Sequence, residues 1–357
     1  MKMPTKGFSH KKPTIKDIAK LVGVSHVAVS KALKDAPDIS SALKEKVNRV
    51  ASEIGYMPNA SASYLSSKNT AHNIGMIVPS LGADTAYDEA FKAISEAAAF
   101  KNHSILLGVS DRNRDLERQY CRIMCENRVG ALIISPISSE IEDIKQICAQ
   151  TVPLIFIGGK VDSKEQHCVH LNYSKSAALA VDYLYALGHR DIFLFLYHPM
   201  NKTIMQKKEG YEKAMRARNL TPTVYLEGES ADTYTAGCVL TESLIKSGNL
   251  PTAIWCASDL MAIGVMDTLK LNHFKIPEDI SVMGHDNLPF SKFSAYQLTT
   301  FDVPKKALGE AAVNMALTIM ENGDDEERIH VSLEALLIKR GSTGKAPVKI
   351  RDKGNEI

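Results

Sequence analysis

Two sets of side chains in this 357-residue chain have the types and spacing for recognition chemistry, and neither is a catalytic set. The first is His26, Val27, Ser30 and Lys31, within the stretch TIKDIAKLVGVSHVAVSKAL from Thr14 to Leu33. Polar groups beside a small apolar side chain, left on the outer face of a short helix, suit base edges in a DNA major groove. The second set is Asp84, Thr85, Tyr87, Lys160, Lys207, Ser258, Asp259 and Asp286, with His285 beside the last. Carboxylates, amines and hydroxyls with a little aromatic surface suit a small polar or polyhydroxylated molecule. There is no G-x-S-x-G, P-loop, H-E-x-x-H or strand-borne G-x-G-x-x-G, so hydride, acyl and phosphoryl chemistry lack their usual handles. No catalytic residue, cofactor or metal is expected. The cysteines, Cys121, Cys125, Cys148, Cys168, Cys238 and Cys256, form no C-x-x-C pair and lack zinc-ligand spacing to histidine, so they read as buried small hydrophobes.

The first set needs a helix-turn-helix to present it. Thr14 with Asp17 makes a helix start, and Ile15, Ile18, Ala19 and Val22 recur at helical spacing. Gly23 permits the turn, Ser25 caps a second helix, and Val29, Ala32 and Leu33 pack it back on the first. Ser40 opens a third helix with Leu43, Val47, Val50, Ala51 and Ile54 on one stripe, closed at Gly55. The following NASASYLSSKN reads either as a plain linker or as a short helix that folds only in a DNA groove, with Leu65 as a wedge between base pairs. Residues 1–70 hold 12 Lys plus Arg against 5 Asp plus Glu, whereas the remainder holds 31 against 36. A basic head on a mildly acidic body is the electrostatic footprint of a nucleic-acid-binding domain joined to something with another task.

The second set needs a larger scaffold. From Ile74, short apolar runs alternate with amphipathic stretches, the signature of a parallel sheet flanked by helices. The strands IGMIVP, SILLGV, GALIISP and PLIFIGG form a first lobe, with VHL at 169–171 as a crossover. DIFLFLY, TVYLEG, TAIWCA and ISVMGHD, with helices at 174–187, 205–219, 233–247 and 260–272, form a second. LTTFDVP, a helix at 305–321 and a strand VSLEALLIKR take the chain back to the first lobe and out again. Ligands of open α/β sheets bind beyond the carboxyl ends of the strands, which places the second set in the cleft between lobes.

With head, hinge and bilobed body in place, the chain resembles the lactose/galactose-repressor family of bacterial transcription regulators over about residues 13–344. The helix-turn-helix stretch, EKVNRVASEIGYMPNASASYL, ALGHRDIFLF, EGYEKAM, PTAIWCASDLMAIGVMDTL, IPEDISVMGHD, QLTT and LIKRGST match the family's signatures in order. The resemblance implies an all-α helix-turn-helix head and a periplasmic-binding-protein-like body of two doubly wound parallel-sheet lobes. It implies a homodimer on a near-palindromic double-stranded DNA operator, with the hinges paired in the minor groove. Thr14, Ser25, His26, Val27, Ser30 and Lys31 of the head and Asn59, Ala62 and Leu65 of the hinge are the expected DNA contacts. The expected domains are 13–57 for the head, 58–72 for the hinge, 73–344 for the body and 345–357 for a tail. Within the body, lobe 1 is expected over 73–171 and 301–328, and lobe 2 over 172–300 and 329–344. Several positions depart from the family: Ala83-Asp84-Thr85-Ala86 replaces Asn-Pro-Phe-Phe, Gly159-Lys160 replaces Asp-Arg, and Lys207 stands at a common arginine. Ser258 replaces Asn, His285 replaces Phe or Tyr, Ser230 sits where several members place an aromatic ring, and Lys31 stands where Arg is common.

The expected function is that of a repressor controlled by a small polar effector, of carbohydrate type, in the interlobe cleft. Alternatives are a global regulator controlled by a protein coregulator and an α/β enzyme acting on a small molecule. No apolar run approaches 18 residues and the N-terminus lacks a signal-peptide core, so a cytoplasmic protein without a membrane partner is expected.

Overall fold

The computed structural model describes residues 13–57, 73–82, 87–138, 140–149, 151–159, 166–198, 201–228, 232–324 and 328–347. The chain divides into two compact units, Met1–Asn69 and Thr70–Ile357. The expected hinge, 58–72, lies outside the described residues.

The head consists of α1 (Ile15–Val22), α2 (His26–Leu33) and α3 (Ser41–Glu53). The Asp17 carboxylate accepts from the Thr14 N–H at 2.8 Å and from the Thr14 hydroxyl at 2.7 Å, fixing the start of α1. Gly23 takes φ +80° and donates its N–H to the Ala19 carbonyl at 2.9 Å, closing α1 in a left-handed turn where a side chain would be strained. Ser25 Oγ accepts from the Ala28 N–H at 3.2 Å and begins α2. Helices of 8, 8 and 13 residues are marginal alone, so their shared core must hold them. Ile18, Val29 and Val47, one from each helix and none with any exposure, meet at its centre with Val22, Ala32 and Ala51 around them.

The body runs β1 (Asn73–Val78), α4 (Tyr87–Phe100), β2 (Ser104–Val109), α5 (Arg114–Glu126), β3 (Ala131–Ile134), α6 (Glu142–Cys148), β4 (Leu154–Gly158) and β5 (His167–Leu171). It continues α7 (Tyr173–Ala186), β6 (Ile192–Tyr197), α8 (Lys202–Arg216), β7 (Thr223–Glu227), α9 (Thr233–Ser247), β8 (Ala253–Cys256), α10 (Asp259–Leu271) and β9 (Ser281–Met283). Last come β10 (Thr300–Asp302), α11 (Lys305–Asn322), β11 (His330–Leu333) and β12 (Leu336–Ile338). The first lobe is an all-parallel sheet in the order β11-β5-β4-β3-β1-β2, the second an all-parallel sheet β7-β6-β8-β9, and β10 and β12 pair antiparallel. Both faces of each main sheet are covered, which is why their strands read as continuous apolar runs. In lobe 1, Ile74, Met76 and Ile133 face α4 and α11, while Ile77, Leu132 and Phe156 face α5 and α6. In lobe 2, Leu194 and Trp255 face α7 and α8, while Phe195 and Ile254 face α9 and α10.

Four readings of the sequence are corrected. The segment taken as a crossover at 169–171 belongs to β5, an inner strand held by β4 on one side and β11 on the other. VSLEALLIKR is two strands in different sheets, broken at Glu334 and Ala335; β11 is half-exposed at the sheet edge, so its weak apolar pattern did not separate it from β12. Lobe 1 therefore reclaims the chain through Leu333, beyond the expected boundary at 328. Helix α8 also starts three residues before the expected 205, because the Asn201 side chain accepts from the Ile204 N–H at 3.0 Å. All six cysteines are free; Cys121, Cys148, Cys168 and Cys256 are buried, and Cys125 and Cys238 are half-buried. Among the described residues no helix is long and apolar enough to cross a membrane.

Helices α9 and α10 approach most closely at Gly237 and Gly264. A Cβ on Gly264 would stand 2.2 Å from the Tyr234 carbonyl oxygen, and one on Gly237 would stand 2.2 Å from that of Met261. Neither obstacle is a movable side chain. Gly264→Ala should therefore destabilise the protein by about 1–3 kcal/mol through forced separation of the helices, read as a lower urea midpoint; an unchanged midpoint would mean that the helices separate freely.

Candidate nucleic-acid interface and ligand cleft

In the head, burial of Val29 and Ala32 turns the opposite face of α2 outward. His26, Val27 and Lys31 are exposed and Ser30 is partly so, with Val27 at 52 % despite being apolar. These four residues form one stripe at the start of the helix, the part that enters a major groove in this motif. Thr14 and Ser25 sit at the N-termini of α1 and α2, where backbone N–H groups favour a phosphate, but both hydroxyls already serve caps. Lys31 is paired with Asp38 in the loop after α2, and its hydrogen bond holds the Asp38 carboxyl below the ordinary range. Asn59, Ala62 and Leu65 lie outside the described residues.

In the body, a cleft of about 120 Å³ lies where the carboxyl ends of both sheets meet the amino ends of their following helices. Lys207, Ser258 and Asp286 line it. Asp84, Thr85, Lys160 and Ser230 lie outside the described residues, as does the side chain of Tyr87.

Lys207 is 2 % exposed. Its Nζ donates to the Ala257 carbonyl at 2.6 Å and lies 5.0 Å from the centre of the Tyr173 ring. Burial pushes its amine below the ordinary lysine range, while the nearby Asp286 and Asp259 carboxylates oppose that shift. Asp286 feels the converse: burial would raise its carboxyl, but Lys207 and His285 hold it below its ordinary value. His285 has no exposed surface, its Nδ1 lies 2.9 Å from Asp286 Oδ1, and it sits between the Tyr173 and Phe301 rings, 5.6 and 5.5 Å away. Burial and Lys207 push its pKa down to about 4. The ring is thus neutral at pH 7, and an ionised Asp286 selects the tautomer that donates from Nδ1, leaving Nε2 buried with no partner.

The placement expected of Asp259 is corrected. It is fully buried and does not line the cleft; its carboxylate accepts from the Thr300 hydroxyl and, at 2.7 Å, from the Leu288 N–H. Its role is to hold the loop that carries Asp286. Ser258 lines the cleft, yet its Oγ accepts from the Met261 N–H at 3.3 Å as the cap of α10.

The sequence reading missed Arg112, Tyr173, Tyr197, Thr233 and Lys305, which also line the cleft. Arg112, Tyr197 and Thr233 stand after strands or at helix starts, so the strand-end rule applied to every loop would have found them. Tyr173 and Lys305 follow passages between lobes, which no local pattern locates. Lys305 Nζ donates to the Asp286 carbonyl at 2.7 Å and pairs with Glu89 of α4. Among the described residues, no group of three or more His, Cys, Asp or Glu is arranged to hold a metal ion.

The fold and the two sites define a helix-turn-helix protein with a periplasmic-binding-protein-like body. The pattern of bacterial regulatory proteins of the lacI family matches residues 14–59, and that of the periplasmic binding protein-like domain matches 181–343. The chain thus carries a lacI-family helix-turn-helix domain followed by a periplasmic binding protein-like domain. It is 28% identical over 321 residues to the HTH-type transcriptional repressor PurR of Vibrio atlanticus (strain LGP32), covering 88% of this chain and 94% of that one. It is 28% identical over 337 residues to PurR of Histophilus somni (strain 2336), covering 92% and 99%. The crystal structure of the Lac repressor dimer bound to operator and the anti-inducer ONPF superimposes with a TM-score of 0.84 at 26% identity, covering 94% of this chain and 100% of that one.

Removing one partner from a buried charged pair is costlier than the pair itself is worth. Asp286→Asn should lower stability by about 1 kcal/mol or more, read by urea denaturation, because the buried Lys207 loses the stronger of the two carboxylate attractions that oppose its desolvation; a midpoint equal to the wild type would show that Lys207 is neutral.

A pH dependence also follows. Burial and the Asp286 charge raise Asp259 from 3.8 to about 7, so its stabilisation is complete below 3.8 and is lost as pH rises through about 7. His285 is depressed from 6.5 to about 4, so its contribution is present above 6.5 and is lost as pH falls through about 4. Between about 4 and 6.5 the two slopes oppose each other. The melting temperature of Asp259→Asn should therefore rise with pH over that window more steeply than that of the wild type; parallel curves would remove the assigned shift.

Proposed function

We propose that this chain represses transcription by binding a near-palindromic operator as a homodimer, and that a small polyhydroxylated molecule in the interlobe cleft sets its operator affinity. The observation that carries the DNA reading is the outward stripe His26, Val27, Ser30 and Lys31 on a head with a charge balance of +7. Val27 supplies a methyl-bearing contact, Ser30 a hydroxyl and Lys31 a point charge, while Thr14 and Ser25 place helix amino ends against phosphates. Asn59, Ala62 and Leu65 of the hinge are assigned to the minor groove, with Leu65 as the wedge. The repressors of similar sequence and the operator-bound dimer of similar fold support this assignment.

The cleft supports the second half. About 120 Å³ corresponds to roughly four water molecules at liquid density, room for a small polar ligand. Asp286 and Lys207 offer an acceptor and a donor to hydroxyls, and Tyr173 and Tyr197 offer aromatic surface. Asp84, Thr85, Tyr87 and Lys160 are assigned to the lobe 1 rim and Ser258 to lobe 2. A ligand that prefers one arrangement of the lobes shifts the population that binds operator by its difference in affinity for the two. The protein works on DNA in the cytoplasm.

The test starts from DNA fragments selected out of a random library by the full-length protein. The selected sites should show two-fold symmetry, bind with a 2:1 protein-to-duplex ratio, and weaken steeply with salt. Ser30→Ala should lower affinity for the selected site by roughly 10-fold and leave random DNA unaffected. Equal affinity for selected and random duplexes would refute a sequence-specific regulator. The single tryptophan, Trp255, lies three residues before Ser258, so its emission reports occupancy of the cleft during titration with a panel of sugars.

A further inference from the structure

The charges around the cleft are unevenly matched. On the lobe 2 side Lys207 faces Asp286, and at the passage between lobes Lys305 is paired with Glu89. Lys305 is in a direct ion pair, and Lys207 is acted on at longer range by the Asp286 and Asp259 carboxylates. Arg112 of lobe 1 also lines the cleft, and unlike Lys305 it is paired with no described carboxylate.

The chain holds Arg112 there against its own preference. Asp111 and Arg112 are successive left-handed residues, φ 47° and 55°, a conformation disfavoured at each non-glycine position. The Arg112 N–H donates to the Pro79 carbonyl at 2.9 Å and the Asn113 N–H to Ser110 at 2.8 Å, so the turn is tied to the end of β1.

A second observation comes from the other wall. Thr233, the first residue of α9, lines the cleft at 3 % exposure, and its hydroxyl has no hydrogen-bond partner. A buried hydroxyl in that condition is destabilising unless something in the cleft meets it. The starts of three long helices open on the same space: Asn201 and Thr203 of α8, Thr233 of α9 and Ser258 of α10. Their N-terminal ends carry partial positive charge and add to that of Arg112.

We propose that the cleft ligand carries an anionic group, carboxylate or phosphate, held by Arg112, with its hydroxyls on Asp286 and Thr233. The ligand is an acidic sugar derivative, not a neutral sugar. A guanidinium presents two parallel N–H donors, which match two oxygens of either anion. The ligand would then join the unpaired cation of lobe 1 to the wall of lobe 2. This inference rests on the reading of the cleft as the effector site and specifies its chemistry.

The experiment uses the full-length protein, Arg112→Gln, and Arg122→Gln as a control that removes an exposed positive charge elsewhere in lobe 1. Thermal midpoints and Trp255 emission are measured at constant ionic strength with pentoses and hexoses, each beside its aldonic or uronic acid and its monophosphate. An acid should bind wild type and Arg122→Gln about 10- to 100-fold more tightly than its neutral parent, and Arg112→Gln should abolish that ratio. Whether the carboxylates or the phosphates bind better identifies the anionic group. If a neutral sugar binds wild type and Arg112→Gln alike and as tightly as its acids, the anionic assignment falls and the effector cleft stands. If no member of the panel, neutral or acidic, shifts either protein, both fall.

Discussion

The body is arranged around an amine that water does not reach. Lys207 enters from α8 with almost no exposure, and an ammonium so placed needs both a carboxylate and a hydrogen-bond acceptor close by. Asp286 supplies the first and the Ala257 carbonyl the second. Asp286 in turn sits at φ 116° and is followed by Asn287 at φ 51°, a backbone that must be restrained. Its restraints come from all sides: His285 behind it, Lys305 on its carbonyl, and Asp259 on the Leu288 N–H. Arg340 completes the shell by donating to Asn287 Oδ1 and the Leu298 carbonyl, both at 2.7 Å. The last described segment of the chain thereby stabilises a loop some fifty residues earlier.

That network explains why neighbouring carboxylates take different parts. Asp286 stays ionised because Lys207 and the His285 N–H favour its charge, and it is left to meet a ligand. Asp259 has burial and the Asp286 charge against it, so it is raised to about 7 and spent on internal hydrogen bonds. Two adjacent sequence positions, Ser258 and Asp259, thus divide between lining a cleft and supporting it. The division follows from the helix start: the cap residue stays at the rim while the first helical residue turns inward.

The head meets a different constraint. Its helices are too short to persist alone, and among the described residues six aliphatic side chains form its buried centre. Stability is therefore drawn from local devices: the Thr14–Asp17 box, the left-handed Gly23, the Ser25 cap and the Lys46 amine on the Val22 carbonyl at 3.2 Å. These devices use polar groups near the exposed stripe, and the Lys31–Asp38 pair shows that the same surface charge has an intramolecular competitor.

Much of this was legible in the order of residues. The head's helices, caps and core follow from periodicity and from Thr14, Gly23, Ser25 and Ser40, because each acts within one turn of its own position. The two α/β lobes follow from apolar runs, since strands buried on both faces leave no alternation to misread. The position of Asp286 at a cleft follows from the rule that ligands bind beyond strand ends. The tertiary structure alone decided the rest. It made β5 an inner strand, split VSLEALLIKR between two sheets, turned Asp259 inward, and left Arg112 at the cleft with no described carboxylate paired to it. Those outcomes depend on partners distant in the chain, β11 for β5, Thr300 and Leu288 for Asp259, and a whole opposing lobe for Arg112. Local propensity carries no record of such partners; only the packed chain brings them within reach of one another.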